Sequence, residues 1–372
     1  MNRFVKSLLV GVAVTIAAQG FSFADTLSSE SIADISKTTN TDMLLLELQL
    51  MREEESYEKA KALAVGVVLN KDDDEGIPYS DIVVRDLNPL NAEKNFLDKK
   101  YETIQKTNIL ELEALERYFT LLNLEQDKIT KKEDYDFVKS KYESKLKEFE
   151  VGQITEIDLQ KFELTLSETF LTYMRANSDY QSAKRALNIF MSNDVENPVV
   201  LEPVAFPVPE LIDVNLDHIS VSIIENSYRI DQIEKEVAIT EMDMKLKSRF
   251  KGYGDKQIEI NTLEDKVFNL KSQLESAKRQ VKADLYDKFY DVEIAKENQK
   301  IKELDYLIAT KNFNVAQLRY DNGLISTIDY LQAKQDLKKA EFVVNDSKLS
   351  YYLTVERFND YISENDTAVT TK

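Results

Sequence analysis

Two short stretches decide how this chain folds: Val151-Gly-Gln-Ile-Thr-Glu-Ile-Asp158 and Asn322-Gly-Leu-Ile-Ser-Thr-Ile-Asp329. Both obey the pattern G-x-I-[ST]-x-I-D, and the second lies 171 positions after the first, Gly323 answering to Gly152. Without insertion the same offset pairs Tyr57 with Tyr228, Leu110 with Val281, Tyr118 with Phe289, Phe149 with Tyr320, Leu166 with Leu337, Tyr180 with Tyr351, Asn188 with Asn359 and Ser192 with Ser363. A register that keeps glycine turns and aromatics together over such a span marks a duplication.

The flanks of each stretch read as helix. The chain has only 8 glycines and 6 prolines, confined beyond the amino-terminal segment to Gly66–Pro89, Gly152, Pro198–Pro209, Gly252–Gly254 and Gly323. Between them run segments rich in Glu, Lys, Leu, Gln and Ala, which lose least on entering a helix. In 261–322 an apolar stripe, Leu263, Val267, Leu270, Leu274, Ala277, Val281 and Leu285, recurs at coiled-coil spacing. Such a run of about 60 residues makes a rod of roughly 90 Å at ~1.5 Å rise. The spacing predicts a matching rod over 91–150, with a reversal near Gln126–Lys132.

A lone glycine leaves room only for a tight reversal, so each rod pairs with its successor, Thr155–Met191 or Ser326–Ile362, as an antiparallel hairpin. A third pair of helices is expected over 42–65 and 215–247. Asn193–Pro209, with NPVVLEPVAFPVP, reads as an extended linker. The fold class is therefore mainly all-α: duplicated long coiled-coil-like hairpins with two short β-hairpin or loop insertions. One insertion is Gly66–Pro89, containing KDDDEG; the other places strands at Lys245–Phe250 and Lys256–Asn261 around Gly252-Tyr-Gly254.

Residues 1–24 have the form of a signal peptide: Arg3 and Lys6, an apolar run Leu8–Ala18, and Ser22-Phe23-Ala24 as cleavage site. The expected organisation is then a first repeat over 25–192, a linker over 193–211, a second repeat over 212–363 and a disordered tail over 364–372. Beyond the leader no apolar run approaches the ~18 residues a membrane helix requires. With no cysteine the fold rests on packing alone. Removing Arg3 and Lys6 takes the net charge from -19 to -21. Such a surface disfavours nucleic acid and anionic lipid, and suits solubility or a passage for cations or neutral solutes. Long hairpins bury little alone, so oligomerisation is expected.

Catalytic signals are missing from the sequence. His218 is the only histidine and has no ligand-spaced cluster beside it; no phosphate loop or nucleophile elbow occurs. A non-enzyme with no cofactor and no metal is expected.

The stretch Arg319-Tyr320-Asp-Asn-Gly323-Leu-Ile-Ser326-Thr-Ile-Asp329-Tyr-Leu331-Gln-Ala333 resembles the tip signature [RY]-Y-x-x-G-x-x-[ST]-x-x-D-x-L-x-A of the TolC-type outer-membrane efflux proteins. Phe149-Glu-Val-Gly152-Gln-Ile-Thr155-Glu-Ile-Asp158-Leu is similar to that family's more relaxed first copy, and Asn197-Pro198 stands where it commonly carries an Asn-Pro linker. The resemblance implies a homotrimer pooling its hairpins into an α-barrel in the cell envelope. That barrel would be a conduit for efflux, meeting a periplasmic adaptor and an inner-membrane pump. It implies an outer-membrane or periplasmic location, or the cell surface if the cell has one membrane.

Carried over by position, Asp329 would be an acid at the pore aperture, with Gln332 where the family has a second acid. Tyr320 and Asp158 would form a latch pair, Ile325 standing where a latch arginine is usual. Gly152, Ile154, Thr155, Gly323, Ile325 and Ser326 would form the tips that dock an adaptor. A plainer reading stands beside each role: the glycines end helices, Asp158 and Asp329 cap them, and Tyr320 packs. An exported coiled-coil scaffold or adaptor derived from the same family, without a membrane channel, is the alternative function.

Overall fold

The computed structural model describes residues 26–70, 78–202, 208–209, 216–249 and 256–367. The expected leader with its cleavage site, and all of KDDDEGI and GYGD, lie outside the described residues, as does the His218 side chain. The described part is helical: α1 (Ser29–Thr39), α2 (Thr41–Asn70), α3 (Tyr79–Ile82), a π-helical turn (Val83–Leu87), α4 (Asn88–Glu150), α5 (Glu156–Phe190), α6 (Leu216–Asn226), α7 (Tyr228–Arg249), α8 (Lys256–Asp321) and α9 (Thr327–Thr367). Among these residues the only β pairing is one parallel bridge, Leu27 with Leu201. No described helix is long and apolar enough to cross a membrane.

Several sequence expectations need correction. The strands expected at Lys245–Phe250 and Lys256–Asn261 are, where described, the end of α7 and the start of α8. The apolar pieces of the first insertion, Val67–Leu69 and Asp81–Val84, are likewise helical. The physical reason is local packing. Leu246 and Ile82 are buried against each other, with Met242, Val83 and Leu87 around them, and the Met242–Leu246 spacing is that of a helix face.

No reversal occurs at Gln126–Lys132, since Thr130, Asp134 and Val138 continue one buried face at helical spacing. The single helix expected over 215–247 is broken at Ser227, whose carbonyl starts α7 by accepting from the amides of Ile230 and Asp231. The π-helical turn precedes Pro89, whose ring would crowd the carbonyl four residues back in a regular helix.

Two compact units divide the chain, with boundaries inside continuous helices. Unit 1 takes in Met1–Asn40, Leu110–Val208 and Ile294–Leu353. Its core gathers Ile32, Ala114, Tyr118, Leu121, Leu187, Met191 and Leu353. Here α4 and α5 run antiparallel: Lys145 lies near the Phe162 ring, Tyr135 packs on Phe170, Lys128 sits 3.7 Å over Tyr180, and Arg117 meets Phe190. The α5 end is a left-handed turn at Ser192, φ 58°, and Asn188 Nδ2 donates to the carbonyls of Val195 and Asn197, tying down the linker.

Unit 2 takes in Thr41–Ile109, Pro209–Glu293 and Thr354–Lys372. There Leu285, Val292, Val355 and Phe358 are fully buried, and Tyr361 Oη donates to the Val281 carbonyl. The α8 stripe read from sequence is the buried one, with Val267, Ala277, Val281 and Leu285 all inside. Tyr228 stacks on Tyr101 and donates to Asp98; burial, then that bond, pushes its phenol far above the ordinary value.

Candidate functional site: the paired hairpin tips

Both tips lie in unit 1 and are built alike. Helix α4 ends at Glu150; the Gly152 amide donates to the Phe149 carbonyl and the Gln153 amide to the Glu148 carbonyl. At the second tip Gly323 donates to Tyr320 and Leu324 to Arg319, at 2.9 and 2.8 Å. This is the Schellman arrangement, which needs a left-handed residue just past the helix. Gly152 and Gly323 supply it at φ 77° and 70°, where a side chain is disfavoured.

The hydroxyls of Thr155 and Ser326, each one residue before its helix, then open the descending helices α5 and α9. Thr155 Oγ1 accepts from the Asp158 amide at 3.2 Å and donates to its carboxylate at 2.7 Å. Ser326 does the same for Asp329, at 3.1 and 2.7 Å, and the Asp329 carboxylate also accepts from the Ser326 amide. The second [ST]-x-x-D is thus a reciprocal capping box, and in the first the Thr155 hydroxyl caps α5. The Thr155 hydroxyl above all, with Lys161 3.5 Å away, holds the Asp158 carboxyl below the ordinary aspartate range.

Tyr320 stacks on Tyr330 at 4.6 Å, and its hydroxyl pairs with Thr327 at 3.4 Å. Burial alone would raise this phenol; hydrogen bonds to Thr327 and Lys141, with the Lys141 charge, outweigh it and bring it below the ordinary value. Phe137 and Phe313 extend the stack, at 5.9 and 5.8 Å from Tyr330. Asp158 thus bonds within its own tip, whereas Tyr320 reaches both Thr327 of its own tip and Lys141 of α4, and among the described residues no hydrogen bond joins Tyr320 to Asp158. Gln332 is exposed and donates to Asp336. Ile154 and Ile325 are half-buried, while Val151, Ile157 and Leu324 are strongly exposed.

Sequence reading missed one pair entirely. Asp134 of α4 is 1% exposed and meets Lys334 of α9 at 2.6 Å, with its Oδ2 bonded to no described residue. The pair is 200 positions apart in the chain, so no local pattern announces it. Among the described residues no cluster of acids, histidines or cysteines could hold a metal.

No family model and no curated protein matches the sequence. Solved structures do match by fold. The CmeC outer membrane channel of Campylobacter jejuni aligns with a TM-score of 0.65 at 13% identity, covering 94% of this chain and 91% of that one. VceC, an outer membrane protein of Vibrio cholerae, gives 0.60 at 10% identity, covering 90% and 95%. The MtrE outer membrane channel of Neisseria gonorrhoeae, in its open state, gives 0.60 at 10%, covering 92% and 91%.

Proposed function

The TolC-type fold is the premise from which the function follows, and we propose that this chain is the subunit of a trimeric, TolC-like helical conduit for efflux or export across the cell envelope. The observation that carries the reading is the pair of equivalent tips, each a Schellman turn followed by a capping hydroxyl bonded to an aspartate. A tip built twice in one register gives a ring of equivalent docking elements when copies assemble. On this reading the leader over 1–24 is removed, the repeats over 25–192 and 212–363 flank the linker, and the protein works in the outer membrane or periplasm.

A periplasmic adaptor meets the tips at Gly152, Ile154, Thr155, Gly323, Ile325 and Ser326, and an inner-membrane pump supplies the energy. Asp329, exposed on the tip, presents a carboxylate to the aperture beside Gln332, while Asp158 and Tyr320 set the closed position. A carboxylate ring attracts cations and bars anions. Such a protein orients and gates; it transforms nothing.

One observation favours a second reading, a scaffold or adaptor without a membrane channel. Helices α2 and α3 leave only residues 71–78 between them, and α7 and α8 only 250–255. A strand crossing the outer membrane needs ~9–11 residues, and a hairpin needs two.

Reconstitution in planar lipid bilayers tests both. The conduit reading expects discrete cation-selective steps, with Asp329→Asn lowering the selectivity. Unchanged selectivity removes Asp329 from the aperture. An oligomer that never conducts selects the scaffold.

A further inference from the structure

The buried pair Asp134–Lys334 acquires a second meaning through the duplication. Within the chain, α9 meets α4 through Lys334 on Asp134, on a face of α4 where Thr130, Asp134 and Val138 are 3%, 1% and 1% exposed; Leu331 of α9 is buried as well. The contact also carries Phe137 against Tyr330.

At the offset of 171 every α4 position has a counterpart on α8, and α9 positions 327–361 have counterparts on α5. Ile301, Asp305 and Ile308 on α8 answer to Thr130, Asp134 and Phe137; Gln160 and Glu163 on α5 answer to Leu331 and Lys334. In the chain these counterparts are open. Ile301 is 52% exposed and Ile308 58%, Asp305 keeps most of its side chain in solvent beside Lys302, and Glu163 is exposed. Apolar neighbours continue both open faces, Ile294, Leu304 and Val315 on α8 and Ile157, Leu164 and Leu171 on α5.

One interface is thus made once inside the molecule, while its duplicate stands uncovered on two separate surfaces. Two complementary surfaces on one molecule join copies head to tail and close into a ring when the rotation permits. A second copy is the occupant the page supports, because the covering element is already present in this chain. One position differs in chemistry: the contact inside the chain sets a lysine against an aspartate, whereas the contact between copies sets Glu163 against Asp305.

We propose that α5 of one copy packs on α8 of the next as α9 packs on α4 within a chain, and that Glu163 opposite Asp305 makes this junction the weaker seam, along which the assembly parts. The proposal rests on the oligomeric reading above. Within unit 1 of each chain the hairpins are held together by the lysine–aspartate pair. Like charges at the junction repel.

Charge exchange at exposed positions tests this without touching a core. Glu163→Lys alone and Asp305→Lys alone each restore opposite charges, while the double variant E163K/D305K restores repulsion. Glu163→Gln, which only removes repulsion, should fall between. Dissociation of the full mature chain is read by mass photometry and sedimentation at 20 and 150 mM salt. Each single variant should tighten assembly about threefold per junction, or roughly thirtyfold over three junctions, and the double variant should return to wild type.

Added salt should tighten the wild type and loosen the single variants, since screening removes repulsion in one and attraction in the other. Single variants that match the wild type while it stays oligomeric would overturn the seam and leave the oligomer intact. A chain that stays monomeric in every variant overturns both.

Discussion

Thr155 and Ser326 show how much one hydroxyl decides. Each accepts a free first-turn amide of a descending helix, that of the third helical residue, and at the same atom donates to the carboxylate of that residue. Removing the Thr155 hydroxyl with Thr155→Val should let the Asp158 carboxyl rise toward the ordinary ~3.9. NMR titration of the side-chain carboxyl carbon reads this directly, and an unmoved titration would rule out the hydroxyl as its main support. The sign is fixed by the depressed value. The contribution of Asp158 is complete above the ordinary aspartate range and is lost as pH falls through its folded value.

The left-handed positions give a second prediction. Gly323 has nothing within 4 Å of where a Cβ would stand, so Gly323→Ala adds backbone strain alone. That substitution should cost about 1 kcal/mol. Ser192→Gly, at φ 58°, should instead gain up to ~1 kcal/mol, because the serine already bears that strain. Paired denaturant melts check both, and equal changes in both would sink the argument. Gly152, Gly323 and both caps were legible in the sequence because they are local. The Ser192 turn was not, since serine does not advertise a left-handed backbone.

Among elements, the long helices were legible because little interrupts them and the stripe through Val281 and Leu285 keeps step with a helix. The insertions were misread for a physical reason. Six alternating residues beside glycine, such as Lys245–Phe250, fit a strand and a helix end equally. Leu246 settles the matter only by burying against Ile82, more than 160 positions away in the chain.

The Asp134–Lys334 contact lies at this scale too and was hidden for the same cause. Removing its lysine with Lys334→Met leaves a carboxylate that is 1% exposed with no partner. A loss of about 3 kcal/mol is expected, most of it recovered in the double variant D134L/K334M. A denaturant double-mutant cycle measures it. Independent, additive losses would mean that the pair does not hold α9 to α4.

At the scale of the whole molecule, the duplication and the tip signature pointed to the TolC-type fold, and structures sharing only 10–13% of the sequence bear it out. Legibility failed at the two insertions of unit 2, where helices occupy positions expected as strands. The open faces of α5 and α8 are the remaining clue to assembly. Light scattering on residues 25–372, the chain without its proposed leader, across a hundredfold range of concentration puts the assembled conduit to the test most directly. The account predicts a mass three times that of one chain at the upper concentrations; a mass of one chain throughout would contradict it.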